Sequence, residues 1–428
     1  MKTVQLHNGT LTGEVRVPGD KSISHRSVML GALAKGTTTI SNFLTGADCL
    51  STIEAFRALG VDIAVEGQDV TIESGGFHEL VEPKHPIDLG NSGTTTRLLL
   101  GILAGLPHHV VLYGDASLTK RPMNRVTVPL REMGARIDGR DHGDKLPLSI
   151  RGGQLTPMTY TLPVNSAQVK SSILLAGLFT KGTTTVVEPV PTRDHTERML
   201  KAFGVEVNRE GNDISVVGNQ EMSGTKLEVP GDISSAAFFL VGAAMTDGSD
   251  LTIRDVGLNP TRTGIVDVLE RMGASINVTT TRYIGDEAIG DIQIKGSRLK
   301  AVTIGGDDIP ALIDELPIIA LLASQAEGET VIKDAEELRW KETDRIEAVV
   351  QTLSKMGVHI KGTSDGMVIN GSEEPLKGGT FETYHDHRMG MMIAMASLLT
   401  EDPVHIQNPE VIDVSFPTFF NDLESLTN

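Results

Sequence analysis

Cysteine, aromatic residues and long apolar runs are scarce in this sequence. Cys49 is the only cysteine among 428 residues, which excludes an intrachain disulfide framework and any cysteine-rich zinc or iron–sulfur site. Aromatic residues make up 4% of the chain, so we expect an aliphatic core. No apolar run approaches the ~18–20 residues of a membrane-spanning helix, and the N-terminal residues show no signal-peptide pattern. We therefore expect a soluble cytoplasmic protein that does not bind membranes.

Basic residues are outnumbered by acidic ones, 38 to 56, and the formal net charge is −18. A chain of this charge repels polyanions at long range, so binding to nucleic acid is disfavoured. The nucleotide-binding pattern G-x-x-x-x-G-K-[ST] is also absent, and the Gly-containing turn at 91–96 lacks its lysine. A nucleotide-hydrolysing enzyme is therefore disfavoured.

Two short patterns repeat along the chain. The first is an apolar helix that ends at a glycine and precedes a β-branched strand, and its glycines are Gly60, Gly134, Gly204, Gly273 and Gly357. A glycine at this place is typical of a left-handed helix C-cap. The second pattern is a strand, a tight turn and a helix of small apolar residues, with helix starts near Ser22, Ser92, Ala167, Ser234, Ile309 and Arg388. This order predicts an α/β protein with helices packed on mixed sheets, and the small apolar helices are expected to be buried.

Basic side chains recur near these helix starts. A helix N-terminus attracts anions, whereas a cation placed there is locally unfavourable, so the recurrence needs a reason. The residues are Lys21, Arg26, Arg97, Lys120, Arg121, Arg193, Lys341, Arg345 and Arg388. They predict a site for a substrate with several anionic groups, with solvated surface charges as the alternative.

Carboxylates accompany two of these places. Asp314 and Glu315 interrupt the apolar stretch ALIDELPIIALLA, where burial would raise a carboxyl pKa toward acid–base work; a buried partner for an arginine is the alternative. The segment KETDR at 341–345 is predicted to open a helix in which Lys341 and Arg345 share a face and Glu342 pairs with Arg345. Two histidines flank Asp386, but no further ligand set accompanies them, so we expect no metal and no cofactor.

These motifs together resemble the EPSP synthase, or 3-phosphoshikimate 1-carboxyvinyltransferase, family. The motifs follow one another in order along nearly the whole chain. They are PGDKSISHR, NSGTTTR, KRPM, SAQVKS, RDHTERML, GDISSAAF, DELP, KETDR and DHRM. The resemblance implies a transferase of the shikimate pathway, which leads to chorismate and the aromatic amino acids.

The resemblance also implies a fold. The family has a two-domain inverse α/β barrel, the enolpyruvyl transferase fold, with six β-α-β-α-β-β repeats, three per domain. Residues 1–19 and 227–428 would form the first domain and residues 20–226 the second. Hinges would lie near 16–20 and 226–231, each beside a copy of Val-Pro-Gly-Asp, with the active site in the cleft between the domains.

The implied reaction transfers the enolpyruvyl group of phosphoenolpyruvate to the 5-hydroxyl of shikimate 3-phosphate. It proceeds by addition and elimination through a tetrahedral intermediate and releases phosphate. Glyphosate is the implied inhibitor, and a monomer is expected. Each substrate carries a phosphate and a carboxylate, which suits the forked guanidinium of arginine.

The resemblance assigns roles to individual residues. The implied catalytic residues are Lys21, Asp314 and Glu342. Shikimate 3-phosphate would be bound by Lys21, Ser22, Arg26, Ser166, Ala167, Gln168, Arg193, Asp314 and Lys341. Phosphoenolpyruvate would be bound by Lys21, Asn91, Gly93, Thr94, Arg121, Gln168, Glu342, Arg345 and Arg388.

The sequence departs from the better-known bacterial pattern of the family. Ser92 stands where alanine is often found, Ala167 replaces a serine, and Val414 lies where some members carry a lysine. Two alternatives share the fold: a UDP-N-acetylglucosamine enolpyruvyl transferase and a non-catalytic anion-binding protein. The first usually has Lys-Asn in place of Lys21-Ser22 and a catalytic Cys or Asp in a mobile loop, and Cys49 is not in a matching segment.

Overall fold

The computed structural model describes residues 1–6 and 9–427. The chain divides into two compact units. We call Gly19–Val229 with Ile284–Asp286 the central unit, and Met1–Pro18, Pro230–Tyr283 and Glu287–Asn428 the discontinuous unit. Motion about the segments 16–20 and 226–231 stays a prediction.

The elements follow one another in the order that the repeats predict. The chain starts with β1 (Lys2–Val4) and β2 (Thr12–Arg16). The strands of the central unit are β3 (Lys35–Ser41), β4 (Asp62–Glu66), β5 (Asp69–Gly75), β6 (Ile87–Asp88), β7 (His109–Tyr113), β8 (Arg136–Gly139), β9 (Lys145–Arg151), β10 (Thr159–Thr161), β11 (Thr183–Val187), β12 (Val207–Glu210), β13 (Asp213–Val217) and β14 (Lys226–Glu228). Its helices are α1 (Lys21–Leu33), α2 (Ala47–Ala58), α3 (Gly93–Gly105), α4 (Asn124–Glu132), α5 (Arg140–Gly143), α6 (Ala167–Gly177) and α7 (His195–Ala202).

The discontinuous unit continues the same alternation. Its further strands are β15 (Asp250–Gly257), β16 (Ser275–Ile284), β17 (Glu287–Lys295), β18 (Thr303–Ile304), β19 (Glu329–Ile332), β20 (His359–Gly362), β21 (Met367–Asn370), β22 (Gly379–Glu382) and β23 (Val404–Gln407). Its helices are α8 (Ile233–Met245), α9 (Gly264–Arg271), α10 (Ile309–Leu312), α11 (Leu316–Ala323), α12 (Arg345–Lys355), α13 (His387–Ala396) and α14 (Phe419–Leu426).

Each unit contains three small sheets in the described part of the chain. The sheets of the central unit have the strand orders β14-β3-β5-β4, β6-β7-β9-β8 and β10-β11-β13-β12. Those of the discontinuous unit are β16-β17-β15-β2, β18-β19-β21-β20 and β1-β23-β22. In the second sheet, β6 and β7 are parallel while β9 runs antiparallel to β7 and β8. This βαβαββ pattern recurs, and the predicted α/β fold of six repeats is confirmed.

Two strands are exchanged between repeats. β2 precedes α1 along the chain but pairs in parallel with β15, and β14 precedes α8 but pairs in parallel with β3. The two Val-Pro-Gly-Asp copies, at 17–20 and 229–232, are therefore the segments through which the chain passes from one unit to the other. Proline lacks the N–H that would continue a strand ladder. A Cβ on Gly19 would lie 2.0 Å from the carbonyl oxygen of Asn42, so only glycine fits there.

Each unit has its own hydrophobic core. The small-residue helices α1, α3, α6, α8, α11 and α13 are almost entirely buried, as their composition predicts. The five cap glycines of the first repeat, at 60, 134, 204, 273 and 357, have φ between 88° and 114°, so the predicted left-handed caps are confirmed. No helix within residues 1–6 and 9–427 combines the length and the apolar character needed to cross a bilayer.

The structure corrects the prediction that the KETDR segment opens a helix. α12 begins only at Arg345, because the Asp344 carboxylate caps it by accepting a hydrogen bond from the Glu347 N–H at 3.1 Å. Lys341 and Glu342 therefore precede the helix, and the shared helical face of Lys341 and Arg345 is wrong.

The helix predicted near Ile309 begins there but is interrupted. α10 ends at Leu312, and α11 restarts at Leu316 with Pro317 in its first turn. Because proline cannot donate a helical hydrogen bond, it favours a restart at this point. The interruption places Asp314 and Glu315 in irregular backbone between the two helices.

Candidate functional site

The central unit contains three capped helix starts that carry predicted site residues. Asp20, Ser92 and Ser166 each accept a hydrogen bond from the backbone N–H three residues further on, at 2.8, 3.1 and 3.4 Å. These caps set the starts of α1, α3 and α6. The hydroxyl of Ser92, one of the departures from the family pattern, is thus used as a helix cap and is buried.

Lys21 is the first residue of α1. Its ammonium group forms an ion pair with Asp48, in the first turn of α2, and its side chain is 18% exposed. The neighbouring Cys49 is fully buried, which fits the role of a small core residue and not that of an exposed catalytic thiol.

Arg26 is buried one turn further along α1. Its Nε donates to the Thr196 hydroxyl at 2.7 Å and its Nη2 to the Ser171 hydroxyl at 2.9 Å. Its Nη1 donates to the Ser22 carbonyl oxygen at 3.0 Å. The guanidinium is therefore held in one orientation by α1, α6 and α7.

Gln168 is oriented by two residues of α3. Arg97 donates to the Gln168 side-chain oxygen at 2.6 Å, and the Gln168 side-chain nitrogen donates to the Thr94 hydroxyl at 3.0 Å. The sequence places Arg97 among the basic residues near helix starts, and in the structure it orients a predicted ligand-binding side chain.

Asn91 and Arg121 lie together beside the start of α3. Arg121 donates to the Asn91 side-chain oxygen, and the Asn91 amide donates to Asp115 at 2.6 Å. A Cβ added to Gly93 would lie 3.2 Å from Nη1 of Arg121 and 3.3 Å from Nη1 of Arg97. The space beside Gly93 therefore opens toward two guanidinium groups.

Arg193 is half-buried in the irregular segment before α7. Lys170, which sequence reasoning missed, is fully buried and donates to the carbonyl oxygen of Thr192, the residue before Arg193. It also contacts Glu188 and Glu197 at 2.9 and 2.7 Å. A lysine within the small-residue apolar helix SAQVKSSILLAGL is the sequence signal that could have revealed it.

The discontinuous unit gathers a second group of predicted residues around Asp314. One carboxylate oxygen of Asp314 accepts from Lys341 Nζ at 3.1 Å and from Arg345 Nη1 at 3.3 Å. Its other oxygen lies 3.9 Å from Arg388 Nη2. Three cations thus surround one carboxylate, which is 13% exposed.

Arg345 is buried among carboxylates. It donates to both oxygens of Asp386, at 2.8 and 3.2 Å, and to Glu342 at 2.7 Å. Burial by itself lowers the pKa of Arg345, but the charges of Asp386, Glu342 and Asp314 outweigh it and raise the pKa above its ordinary value. The guanidinium therefore stays charged, and the predicted pairing of Glu342 with Arg345 is confirmed.

Arg388 is held by a residue whose role sequence reasoning left undecided. Its Nη1 donates to the Asp314 carbonyl oxygen at 2.9 Å and lies 3.4 Å from Glu315 Oε1. Glu315 is fully buried and also accepts from the Ser234 hydroxyl. Arg262, which sequence reasoning missed, donates to Ser234 at 2.8 Å. Glu315 is thus a buried partner for an arginine, one of the two readings that its place in an apolar stretch allowed.

His25 is a further buried group that the sequence did not single out. Its Nδ1 lies 2.7 Å from the Thr52 hydroxyl, and none of the described residues hydrogen-bonds its Nε2. Burial, reinforced by the charges of Lys21 and Arg26, lowers the pKa of His25 well below its ordinary value. The ring is therefore neutral at neutral pH.

Chemically, the two groups of residues supply anion-binding cations and proton-accepting carboxylates. Within residues 1–6 and 9–427, no group of three or more His, Cys, Asp or Glu residues is placed to hold a metal ion. Forked guanidinium groups suit phosphate and carboxylate ligands. Nearby cations favour the ionised form of a carboxylate, and only this form can take a proton from a hydroxyl.

Comparison with known proteins identifies the family. The model of the family described as EPSP synthase (3-phosphoshikimate 1-carboxyvinyltransferase) matches residues 7–423. Proteins named 3-phosphoshikimate 1-carboxyvinyltransferase from Geobacillus thermodenitrificans (strain NG80-2) and Bacillus cytotoxicus are 59% and 58% identical to this chain, over 97% and 100% of both sequences. A solved structure of EPSP synthase from Acinetobacter baumannii is 48% identical, with a TM-score of 0.88 over 99% of this chain and 98% of that one.

These matches confirm the resemblance that the motifs carry. They do not favour the UDP-N-acetylglucosamine transferase alternative, since the relatives carry the other name over their full length. The individual residue roles stay predictions. The chain belongs to the EPSP synthase family.

Proposed function

We propose that this protein transfers the enolpyruvyl group of phosphoenolpyruvate to the 5-hydroxyl of shikimate 3-phosphate and releases phosphate. Family membership supports the proposal, as do the names of relatives that match the whole chain. The observation that carries it is the carboxylate of Asp314 set among Lys341, Arg345 and Arg388. A proton acceptor surrounded by anion-binding cations suits a hydroxyl nucleophile on a phosphorylated substrate.

The reaction has two steps, addition and elimination, and both move protons. In the addition step, the 5-hydroxyl oxygen attacks C2 of phosphoenolpyruvate, loses its proton, and C3 gains one to become a methyl group. In the elimination step, C3 loses a proton and the bond from C2 to the phosphate oxygen breaks. We assign acceptance of the hydroxyl proton to Asp314, and the transfer at C3 to Lys21 and Glu342.

The contacts of the central unit support its part in holding shikimate 3-phosphate. Three hydrogen bonds already fix the Arg26 side chain. Binding of the substrate therefore costs little further side-chain entropy at this residue. Ser166 and Ala167 lie at the start of α6, whose free N–H groups attract phosphate. We assign shikimate 3-phosphate to these residues with Lys21, Ser22, Gln168, Arg193, Asp314 and Lys341.

The surroundings of Gly93 support the assignment of phosphoenolpyruvate. The side chain of Arg121 lies beside the start of α3, and the missing side chain at Gly93 leaves room for a ligand to approach the backbone. We assign phosphoenolpyruvate to this place with Lys21, Asn91, Thr94, Gln168, Glu342, Arg345 and Arg388.

We extend the proposal to inhibition, oligomeric state and cellular location. Glyphosate carries a carboxylate and a phosphonate, so we propose that it competes with phosphoenolpyruvate for the same cations. We also propose a monomer located in the cytoplasm. Inhibition patterns against each substrate and the mass in solution by light scattering test the first two statements.

Phosphate release tests the proposed reaction directly. The protein is expected to release phosphate only when phosphoenolpyruvate and shikimate 3-phosphate are both present. Equal release with UDP-N-acetylglucosamine as the acceptor would overturn the proposal.

A carboxylate variant tests the assigned proton acceptor. Asp314→Asn should lower kcat by about 10²–10⁴-fold, the usual contribution of a general base. Asp307→Asn, which changes an exposed carboxylate of the same unit, is the matched control and should leave kcat unchanged. Equal kcat values for the two variants would remove Asp314 from the chemistry.

A further inference from the structure

A buried ionic cluster lies in the central unit beneath the segment that carries Arg193. Lys170 Nζ lies 2.9 Å from Glu188 Oε2 and 2.7 Å from Glu197 Oε1, and the lysine and Glu188 side chains are fully buried. Arg209, which is 38% exposed, contacts the other oxygen of Glu188 at 3.0 Å. Two cations therefore balance two carboxylates, and we call these four residues the Lys170 cluster.

Stability alone gives little reason for such a cluster. Burying charges carries a desolvation penalty that their mutual attraction only partly offsets, and well-packed apolar side chains often stabilise a core as well or better. In some proteins a buried ionic group is retained for the geometry that it imposes on its neighbours.

The Lys170 cluster holds the backbone next to Arg193. Lys170 donates to the Thr192 carbonyl oxygen at 3.3 Å. Glu188 accepts from the Thr192 N–H at 3.1 Å and from the Thr192 hydroxyl at 2.9 Å. The segment 188–194 has no regular secondary structure, so these bonds hold its backbone at Thr192. Arg193 directly follows the residue that is held on both sides.

The same cluster adjoins the residues that orient Arg26. Ser171 follows Lys170 on α6, and Thr196 precedes Glu197 on α7. The two hydroxyls are 2.7 Å apart, and Arg26 contacts both. The ion pair of Lys170 with Glu197 therefore links α6 to α7 at the point where Arg26 is bound.

We propose that Lys170 is a positioning residue for shikimate 3-phosphate, because its cluster fixes both Arg193 and Arg26. This inference rests on the proposed function, in which these two arginines bind that substrate. Lys170 itself is fully buried, so it acts through the segment 188–194 and through α7.

Steady-state kinetics of Lys170→Met tests this role. The KM for shikimate 3-phosphate should rise by about 10- to 100-fold, the size of effect expected from a misplaced binding group. The KM for phosphoenolpyruvate should change less than about threefold, within the range of a remote substitution. Glu197→Gln, which keeps the shape of the cluster and removes one charge, should show the same split, and Lys170→Arg should restore part of the affinity.

The matched control is Lys295→Met. Lys295 pairs with Asp250 at 2.8 Å on the surface, where its side chain is 51% exposed, so this variant also removes one lysine charge from an ion pair. It should leave both KM values unchanged. Calorimetric titration of shikimate 3-phosphate alone into each folded variant measures the same effect without turnover.

The outcomes separate this inference from the proposed function. A wild-type protein that turns over both substrates, with a folded Lys170→Met variant whose KM values are unchanged or rise equally, would overturn the inference alone. A wild-type protein that releases no phosphate would overturn the proposed function first. Loss of folding in both Lys170→Met and Glu197→Gln would also overturn the inference, since the cluster would then serve stability.

Discussion

Substitution of Gly93 by alanine is the smallest change that probes the proposed phosphoenolpyruvate site. Gly93 is the first residue of α3, and its φ lies outside the left-handed region, so alanine fits the backbone without strain. Replacing glycine by alanine where the backbone conformation suits alanine adds about 0.4–1 kcal/mol to the free energy of unfolding, because the unfolded chain loses conformational freedom. The variant should therefore fold, and a kinetic defect in the folded variant would arise in the site itself.

The expected size of that defect follows from the two contacts of the new methyl group. It would lie 3.2 and 3.3 Å from guanidinium nitrogens of Arg121 and Arg97, which is tighter than ordinary contact, so an arginine or the ligand must shift by a few tenths of an ångström. Arg97 is held by Gln168 at 2.6 Å and by the Pro122 carbonyl oxygen at 3.1 Å, so it yields with difficulty. Weakening one hydrogen bond to a charged group costs about 1.5–3 kcal/mol, or roughly 10- to 100-fold in affinity.

Phosphate release at varied phosphoenolpyruvate and saturating shikimate 3-phosphate measures this effect. Gly93→Ala should raise the KM for phosphoenolpyruvate and the inhibitory concentration of glyphosate together, with little change in the KM for shikimate 3-phosphate. Gly362→Ala is the control, because its Cβ would meet Val350 at an ordinary 3.4 Å. Unchanged constants for both phosphoenolpyruvate and glyphosate in a folded variant would refute the placement of Gly93 in the site.

Three further predictions concern buried charged or titratable groups. Arg345→Lys removes the fork that contacts three carboxylates, so kcat/KM should fall at least about 100-fold in steady-state assays and the free energy of unfolding by about 3 kcal/mol in urea titrations. Glu315→Gln weakens the partner of Arg388 and should raise the KM for phosphoenolpyruvate by about 10-fold. The lowered pKa of His25 keeps the folded ring neutral while the unfolded chain binds a proton below pH ~6.5. The free energy of unfolding should therefore fall as the pH drops below that value. The fall should be steeper in the wild type than in His25→Gln, by up to about 1.4 kcal/mol per pH unit. Urea unfolding between pH 5 and 8 measures this difference.

Each of these predictions has a result that contradicts it. If Arg345→Lys kept the wild-type kcat/KM, the ammonium group of lysine would serve at this position as well as the guanidinium fork, and the prediction would be wrong. An unchanged KM in Glu315→Gln would mean that the carbonyl oxygen of Asp314 suffices to hold Arg388. Parallel stability curves for the wild type and His25→Gln would show that the buried imidazole is not coupled to folding.

Local signals predicted the regular parts of this fold well. The cap glycines, such as Gly60 and Gly357, adopt a left-handed backbone conformation that glycine tolerates readily. Their positions in the sequence therefore predict where helices end. A helix with apolar residues on every side is likewise predicted to be buried. The two Val-Pro-Gly-Asp copies mark the crossing segments because proline ends a ladder and Gly19 has no room for a side chain.

Local patterns did not predict helix boundaries correctly where several nearby residues could cap or break a helix. The start of α12 depended on which residue caps it, and Asp344 prevailed over a start at Lys341. The break between α10 and α11 depended on Pro317 together with the partners that Asp314 and Glu315 find elsewhere in the chain. Spacing along a helix cannot report partners that are distant in sequence.

The sequence by itself determined the fold class, the repeat, the family and the set of charged residues at the helix starts. Each of these follows from local residue patterns or from the order of motifs along the chain. Only the tertiary structure decided which charges serve as partners for others. Lys170 reaches Glu188 and Glu197, Arg97 orients Gln168, and Glu315 holds Arg388. The physical reason is that a buried charge must be compensated by whichever group folding brings within a few ångströms, and that neighbour is set by packing and not by position along the chain.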